Sequence, residues 1–440
     1  MSGSAVGVLP KEWRATPLKY LASSSGGMTP SKDRADFWDG DVPWVSPKDM
    51  KKAVLDDSTD HVSEAALHET GLKLHPPEGV MVVVRGMILA HTFPVARNAV
   101  PVTVNQDMKV LRPVTGVDSR YLAWMLQGLE PVMLSMTDES AHGTKTLRTD
   151  QWANLAVPVP NASTQEVIAN VLDEQTARID ELIAEKRQLR AAVSEYASAE
   201  ISRLLMAGTR GAELIATGRA VLPKAPAGWR VSAFKRALLG MNQGWSPQCE
   251  NRPAEHDEWG VLKVGCVNGT AFNPRENKAL PPDLQPDLSC VLKKNDVLVS
   301  RANTRELVGM AALVEDEHPN LLLCDKLYRL ELRTDWVLPA FAVLALRSES
   351  ARRQIELGAS GASSSMQNIS QDVLRELIVA FPPVGEQRDI VRQASVVRQR
   401  TDSLLKHVDE HVDRLCEYRS SLISAAVTGQ LDVGTYKEAA

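Results

Sequence analysis

Hydrophobic residues recur at alternating intervals of three and four along two long stretches of the chain, from Gln165 to Met206 and from Gln387 to Thr428. This spacing is typical of an α-helix that packs along one stripe. Neither stretch contains proline, so each predicts one continuous helix of about 42 residues, about 63 Å long at 1.5 Å per residue. A helix of that length needs a partner to cover its stripe, and each stretch is the nearest available partner for the other.

The two stripes share one frame, because Ile390 follows Ile168, and Leu404 follows Leu182, at the same offset of 222 residues (390 less 168, 404 less 182). We expect the helices to form an antiparallel coiled coil in which Gln175 and Lys186 fix the register of pairing. The residues predicted to form this seam, and to serve as spacer and partner-docking positions, are Ile168, Leu172, Ile179, Leu182, Leu189, Val193, Ile390, Val397, Leu404, Leu415 and Leu422.

Both helices also have recognisable ends. Ser163 and Glu166 match a capping box, which predicts the start of the first helix. Gly208 and Gly429 stand where a helix needs a left-handed exit residue.

The segments before the two helices repeat the same order of landmarks with different residues, which predicts a duplicated architecture. We expect an α+β fold in which two pseudo-symmetric globular domains are separated by the two long helices. The predicted parts are a first globular domain (1–162), a first long helix (163–208), an Ala/Gly/Pro-rich linker (209–226), a second globular domain (227–384), a second long helix (385–429) and a C-terminal tail (430–440).

Composition narrows the functional classes. A net charge of −5 and a pI near 6.0 argue against a protein that coats nucleic acid through positive charge alone, but they allow specific DNA recognition. Five cysteines without a CxxC pair suggest neither a disulfide framework nor a zinc knuckle. No apolar run reaches the length of a membrane span, and no signal peptide is evident, so we expect a cytoplasmic protein with no membrane partner.

Motifs for catalysis are absent from the sequence. There is no phosphate-binding GxxxxGK[ST] loop, no GxGxxG turn, no GxSxG elbow and no tetrapeptide of the kind an amino-methyltransferase uses. His407 to His411 match an HxxEH zinc pattern, but no third ligand is evident and the first helix has no such motif, so we expect no metal site. The chain is predicted to be non-catalytic.

Paired polar loops in the two globular domains are the best candidates for function. Small residues let a backbone approach a phosphate, and Arg, Asn and Gln make bidentate hydrogen bonds to base edges. The predicted DNA-binding residues are Thr29, Ser31, Lys32, Arg85, His142, Thr144 and Lys145 in the first domain, and Asn242, Gln243, Ser246, Arg301, Asn303, Arg305, Ser364 and Gln367 in the second.

Over nearly its whole length the chain resembles the specificity subunit of type I restriction-modification systems. The resemblance rests on Trp13 with the Gly-Gly-Met-Thr-Pro-Ser-Lys segment at 26–32, and on Pro-Trp-Val-Ser-Pro-Lys-Asp-Met at 43–50. It also rests on the proline- and glutamine-containing entries to both helices, at 158–166 and 382–387, and on the helix end at 422–431.

The resemblance implies that each globular domain is a target recognition domain for one half of a split, asymmetric site in double-stranded DNA. It implies that the helices set the spacing and dock two modification (methyltransferase) subunits, which restriction (translocase) subunits then join. S-adenosylmethionine, ATP and Mg would be cofactors of those partner subunits, with none in this chain.

Two alternatives stay open on the sequence. The chain could be a coiled-coil scaffold whose globular domains bind protein, which would show no sequence-dependent affinity for DNA. It could also serve a methyltransferase that has no nuclease.

Overall fold

The computed structural model describes residues 9–139, 143–363 and 366–433. The chain divides into two compact units, one formed by residues 1–188 and 408–440 and the other by residues 189–407. Each unit therefore contains one globular domain together with part of each long helix.

The strands of the first globular domain are short, and most lie before its main helix. They are β1 (Arg14–Pro17), β2 (Ala22–Gly26), β3 (Val42–Val45), β4 (Val54–Leu55), β5 (Asp60–Val62), β6 (Val80–Val83), β7 (Arg85–Gly86), β8 (Val95–Asn98), β9 (Thr103–Val104), β10 (Met108–Pro113), β11 (Thr137–Glu139), β12 (Lys145–Leu147) and β13 (Ala156–Val159). The helices that follow the same order are α1 (Glu64–Glu69), α2 (Ser119–Gly128), α3 (Glu130–Ser135), α4 (Thr149–Trp152) and the long α5 (Ala162–Ala207).

The remaining elements follow α5. The strands are β14 (Leu214–Arg219), β15 (Leu222–Pro226), β16 (Arg230–Ala233), β17 (Leu238–Gln243), β18 (Gly260–Leu262), β19 (Asn277–Ala279), β20 (Val297–Ser300), β21 (Ala302–Asn303), β22 (Ala311–Leu313), β23 (Leu321–Leu322), β24 (Leu327–Leu332), β25 (Ser360–Ser363), β26 (Met366–Asn368) and β27 (Ile378–Phe381). The helices are α6 (Pro339–Leu346), α7 (Glu349–Gly358), α8 (Gln371–Glu376) and the long α9 (Val384–Val427).

The two globular domains have matching sheet topology, which confirms the predicted duplication. The main sheet has the order β2-β10-β6-β8-β4 in the first domain and β17-β24-β20-β22 in the second. A second sheet, β5-β3-β9, matches β19-β18-β23, and each contains one parallel pair. A third, β11-β12-β7, matches β25-β26-β21. In both domains the first strand pairs antiparallel with the strand that leads into the long helix, β1 with β13 and β16 with β27.

The core of each domain lies between its main sheet and one apolar helix. All four residues of β6 are buried, as are all four of β20, because a central strand covered on both faces needs apolar side chains throughout. Six consecutive residues of α2, Tyr121 to Leu126, are buried against this sheet, and α6 is buried in the same way from Phe341 to Leu346.

The long helices begin and end close to the predicted positions. The predicted capping box at Ser163 is wrong, because Asn161 is the residue that caps α5: its Oδ1 accepts a hydrogen bond from the Thr164 amide at 2.9 Å. Gly208 and Gly429 have φ values of +70° and +73°, which confirms the predicted left-handed exits.

Core composition within each unit shows that the helices are antiparallel. In the first unit, Ile168 near the start of α5 shares a core with Leu422 near the end of α9. In the second, Leu204 near the end of α5 shares a core with Ile390 near the start of α9. The predicted antiparallel pair of long helices is therefore confirmed.

The position of the seam departs from the prediction. Leu182, Leu189 and Leu404 are exposed to 44%, 42% and 44%, whereas Ile183 is only 6% exposed. A helix with 3.6 residues per turn drifts by about 20° per heptad from a strict repeat of seven residues, so a frame that begins at Ile168 has moved off the buried stripe two heptads later. The predicted seam is wrong at these three leucines.

The predicted linker contains a β-hairpin. Strands β14 and β15 pair antiparallel, with Leu214 opposite Pro226 and an irregularity after Ala216. The segment 222–226 has only five residues and two of them are proline, so its sequence does not predict a strand.

Candidate nucleic-acid interface

Arg85, Thr144 and Lys145 come together in the first globular domain. Strand β12 pairs antiparallel with β7, so that Lys145 lies opposite Gly86 and Thr146 opposite Arg85. The guanidinium of Arg85 is largely exposed, with Nε 4.0 Å from Oδ1 of Asp107. Two residues that are 60 positions apart in sequence thus supply cations to one small sheet. Cations in this arrangement can contact phosphates.

The glycine-rich loop of the first domain packs closely against its own chain. A Cβ added at Gly27 would lie 1.7 Å from the Val104 carbonyl oxygen, and the Met28 amide donates to that oxygen at 3.1 Å. The hydroxyl of Thr29 donates to Oε1 of Gln106 at 2.5 Å. The small residue at 27 therefore permits contact with the protein backbone, while Ser31 and Lys32 remain exposed beyond it.

The second domain repeats this loop contact with different residues. A Cβ at Gly244 would lie 2.1 Å from the Leu323 carbonyl oxygen, and the Trp245 amide donates to that oxygen at 3.0 Å. The loops that contain Gly27 and Gly244 therefore make equivalent backbone contacts in the two domains. Ser246, which follows Trp245, is exposed.

Arg301 and Gln243 also come together. Nη1 of Arg301 and Nε2 of Gln243 both donate to the carbonyl oxygen of Asp325, at 3.3 Å and 3.0 Å. Asn242, the neighbour of Gln243, donates to Oε1 of Glu331 at 2.6 Å. These contacts fix the strand end from which the side chains extend.

Asn303 and Gln367 lie opposite each other in the pairing of β21 with β26. Asn303 is only 8% exposed, and its Nδ2 donates to Oδ1 of Asn268 at 2.8 Å. A direct contact between Asn303 and a base would require this hydrogen bond to break, whereas Arg305, two residues later, is exposed. His142 and Ser364 lie outside the described residues, so their roles stay predictions.

Sequence reasoning missed several residues that build this interface. Gln106, Asn268 and Asp325 hold predicted site residues in place, and only the Asn268-Gly269 dipeptide gave a local signal, that of a turn.

Gln165 and Gln387, in the first turns of the long helices, are 1% and 0% exposed. Their equal offset of 222 residues was the available signal that both have one role.

The described residues contain few other features with functional implications. None of the helices in this part of the chain is long and apolar enough to cross a membrane. Across the same ranges, no three His, Cys, Asp or Glu side chains come together as metal ligands. The five cysteines are free thiols.

Comparison with known proteins identifies the family that residues 10–190 resemble. Residues 10–190 match the family model described as the type I restriction modification DNA specificity domain. The specificity subunit of the type I restriction enzyme EcoR124I/EcoR124II from Escherichia coli is 32% identical over 189 residues, which are 42% of this chain and 46% of that protein. The EcoKI specificity subunit from Escherichia coli K12 is 22% identical over 97% of this chain and 91% of that protein.

Residues 10–190 therefore form a domain of the type I restriction modification DNA specificity family. The match to the EcoR124I/EcoR124II subunit spans less than half of that relative, whereas the more distant match to the EcoKI subunit spans both chains almost completely. A solved structure on complex assembly and conformational transition of the type I R-M system contains a chain of the same fold. It aligns with a TM-score of 0.69 at 15% identity, over 96% of this chain and all of that one. The duplicated fold of this chain is therefore shared with a structurally characterised chain.

Proposed function

We propose that this chain is the DNA sequence-recognition subunit of a type I restriction-modification complex, in which each globular domain reads one half of a bipartite, asymmetric site. The observation that carries this proposal is that two domains of the same topology present different side chains at the same place. In the first domain, strand β7 lies beside β12 and supplies Arg85. The matching strand of the second domain, β21, supplies Asn303 and follows Arg301.

The difference between these two surfaces supports the recognition of two different half-sites. An arginine with an adjacent lysine suits phosphates and guanine edges, whereas an arginine beside Asn and Gln side chains suits a mixture of guanine and adenine edges. Identical half-sites would need identical surfaces. A protein with two unlike surfaces is therefore suited to an asymmetric sequence.

We also propose that the long helices set the spacing of the half-sites and dock two modification subunits. Large apolar side chains are exposed at equivalent positions of both helices: Leu182 and Leu404 are each 44% exposed, and Tyr196 and Tyr418 are 63% and 49% exposed. Exposed leucines and tyrosines are typical of protein interfaces. Because the positions recur at an offset of 222, they provide two equivalent sites, which suits two copies of one partner.

Chemistry in this proposal belongs to the partners. Methyl transfer from S-adenosylmethionine would take place on the modification subunits, and ATP and Mg would act on restriction (translocase) subunits that join them. The contribution of this chain is to place the complex on a defined sequence.

Methylation mapping tests the proposal. DNA from cells that carry this chain and a cognate modification subunit should be methylated at one bipartite motif with a fixed gap. The control is the same modification subunit without this chain, which should leave the motif unmodified. If no motif appears and the assembled complex binds all duplexes equally, the globular domains bind protein and the chain is a scaffold.

A further inference from the structure

Arg347, which follows α6 in the second domain, bonds to four backbone carbonyl groups. Its Nε donates to Ala311 at 2.6 Å, and its Nη2 donates to Gly269 at 2.6 Å and Val267 at 3.3 Å. Nη1 donates to Thr270 at 3.2 Å. One side chain therefore ties the turn at 267–270 to strand β22.

The turn that Arg347 holds determines the orientation of Asn303. Asn268 lies within the turn, and its Oδ1 accepts the hydrogen bond from Nδ2 of Asn303 at 2.8 Å. The Oδ1 of Asn303 in turn accepts from the Thr304 amide at 2.9 Å. Both ends of the Asn303 amide are fixed, and one of them depends on the turn.

Arg352, in the first half of α7, supports the next segment of the same surface. Its Nη1 donates to the Val308 carbonyl group and its Nη2 to the Glu306 carbonyl group, the latter at 3.0 Å. The exposed Arg305 immediately precedes Glu306. Gly309 closes this segment with a φ of +76°. The loop from 304 to 309 is thus held from behind by a guanidinium.

Placing these cations in the interior has an energetic cost. Burial, together with the neighbouring positive charges of Arg398 and Arg352, lowers the pKa of Arg347 to about 10. Burial also lowers the pKa of Arg352 and of Arg398. A buried cation that is paired with carbonyl groups costs more than an apolar side chain of the same volume, so its benefit is better sought in the geometry that it fixes.

The first domain supports the corresponding segment with the opposite charge. Glu130, the first residue of α3, accepts hydrogen bonds through Oε1 from the Thr92 hydroxyl at 2.6 Å and the Phe93 amide at 2.7 Å. The segment after β7 is therefore held by a carboxylate, and the segment after β21 by guanidinium groups. The support differs between the domains, as the presented side chains do.

We propose that Arg347 and Arg352 are positioning residues for the second half-site: their bonds to carbonyl groups fix the backbone around the buried Asn303, from which the exposed Arg305 extends toward DNA. This inference rests on the proposed function. The four carbonyl bonds of Arg347 require its planar fork, whereas the two of Arg352 are within the capacity of a lysine ammonium group.

The test uses the chain assembled with its modification subunits. Arg347→Met and Arg352→Met remove the carbonyl bonds, and Arg352→Lys retains a donor. Arg353→Met is the matched control, because Arg353 is exposed and forms an ion pair with Glu349 on the same helix. Methylation rates are measured on duplexes with one mismatch in the first or the second half-site. In Arg347→Met and Arg352→Met, the ratio of methylation rates on matched and mismatched duplexes should fall about tenfold for the second half-site and stay unchanged for the first. Arg352→Lys should retain most of it, and Arg353→Met all of it.

Hydrogen exchange of the same proteins without DNA gives a second readout. Amides at 266–270 should exchange faster in Arg347→Met and amides at 304–310 in Arg352→Met, while strand β20 stays protected. Loss of protection in β20 would mark a variant that has unfolded. In that case Arg352→Lys is compared with the wild type instead.

The outcomes separate this inference from the proposed function. Unchanged loop exchange, or equal loss of discrimination at both half-sites, would overturn the inference while the wild-type complex remains sequence-specific. A wild-type complex that does not discriminate between duplexes would overturn the proposed function, and the inference with it.

Discussion

Gln165 and Gln387, which are 222 positions apart, make the same three hydrogen bonds in the two halves of the molecule. Oε1 of Gln165 accepts from the Asp118 amide at 3.0 Å, and Nε2 donates to the carbonyl groups of Pro160 at 3.0 Å and Gly116 at 3.4 Å. Gln387 repeats this with a bond from the Leu338 amide and bonds to the carbonyl groups of Pro382 and Trp336, each at 2.9 Å. Each glutamine joins the first turn of a long helix to the start of the domain's apolar helix.

These glutamines predict a specific loss of stability. Gln165→Leu or Gln387→Leu removes the partner of one amide and two carbonyl groups, and the bond to the Pro160 or Pro382 carbonyl group is buried. The loss should lower the free energy of unfolding of the affected domain by about 1 to 3 kcal/mol. Hydrogen exchange in α2 or α6 measures this domain by domain. Gln188→Leu, at an exposed position of α5, should change it by no more than about 0.5 kcal/mol. Equal effects at positions 165 and 188 would contradict the anchoring role.

Gly27 and Gly244 predict a steric failure at the polar loops. An alanine Cβ would lie 1.7 Å and 2.1 Å from carbonyl oxygens, so the loop must move away from β9 or from the segment after β23. We expect Gly27→Ala or Gly244→Ala to abolish recognition of the corresponding half-site and to cost at least about 2 kcal/mol of stability. Gly385→Ala is the matched control, since a Cβ there meets nothing within 4 Å and alanine favours a helix. Thermal unfolding and methylation rates of the three variants and the wild type check this expectation.

The exposed leucines of the helices predict a change in stoichiometry. Leu182→Asp should remove one of two docking sites and Leu404→Asp the other. Each change should lower the affinity for one modification subunit by at least about tenfold. Native mass spectrometry of the reconstituted complex should then show one bound modification subunit in each single variant. Leu357→Asp changes a leucine that is 85% exposed away from the long helices and should leave two bound. Two subunits bound to the Leu182→Asp, Leu404→Asp double variant would exclude this surface.

Arg301 predicts a base-specific effect. Arg301→Ala should weaken binding to the cognate site by about 1 to 3 kcal/mol and relax specificity at one position of the second half-site. Nonspecific binding should change much less, because it depends mainly on phosphate contacts. Competition titrations against cognate and scrambled duplexes measure both. A ratio of specific to nonspecific affinity that matches the wild type would show that Arg301 does not read a base.

The sequence was sufficient for the features that repeat. The frame shared by Ile168 and Ile390 predicted two long helices and a duplicated fold, because a common offset over many positions reports one architecture. The exits at Gly208 and Gly429 were predictable because a left-handed residue is a local requirement.

Features set by distant contacts could not be predicted. The burial of Asn303 depends on Asn268, 35 residues earlier, and a polar pair of this kind has no periodicity. The exposure of Leu182 depends on the difference between 3.5 and 3.6 residues per turn, which only accumulates along a straight helix. The support given by Arg347 involves carbonyl groups, which side-chain patterns do not report.

The most direct measurement is methylation mapping after exchange of one globular domain. Residues 1–162 are replaced by the corresponding domain of another specificity subunit with a known motif, and the chimera is expressed with its modification subunit. We expect a hybrid motif in which one half changes to that of the donor, while the other half and the gap are retained. A motif changed in both halves, or in neither, would contradict the assignment of one half-site to each domain.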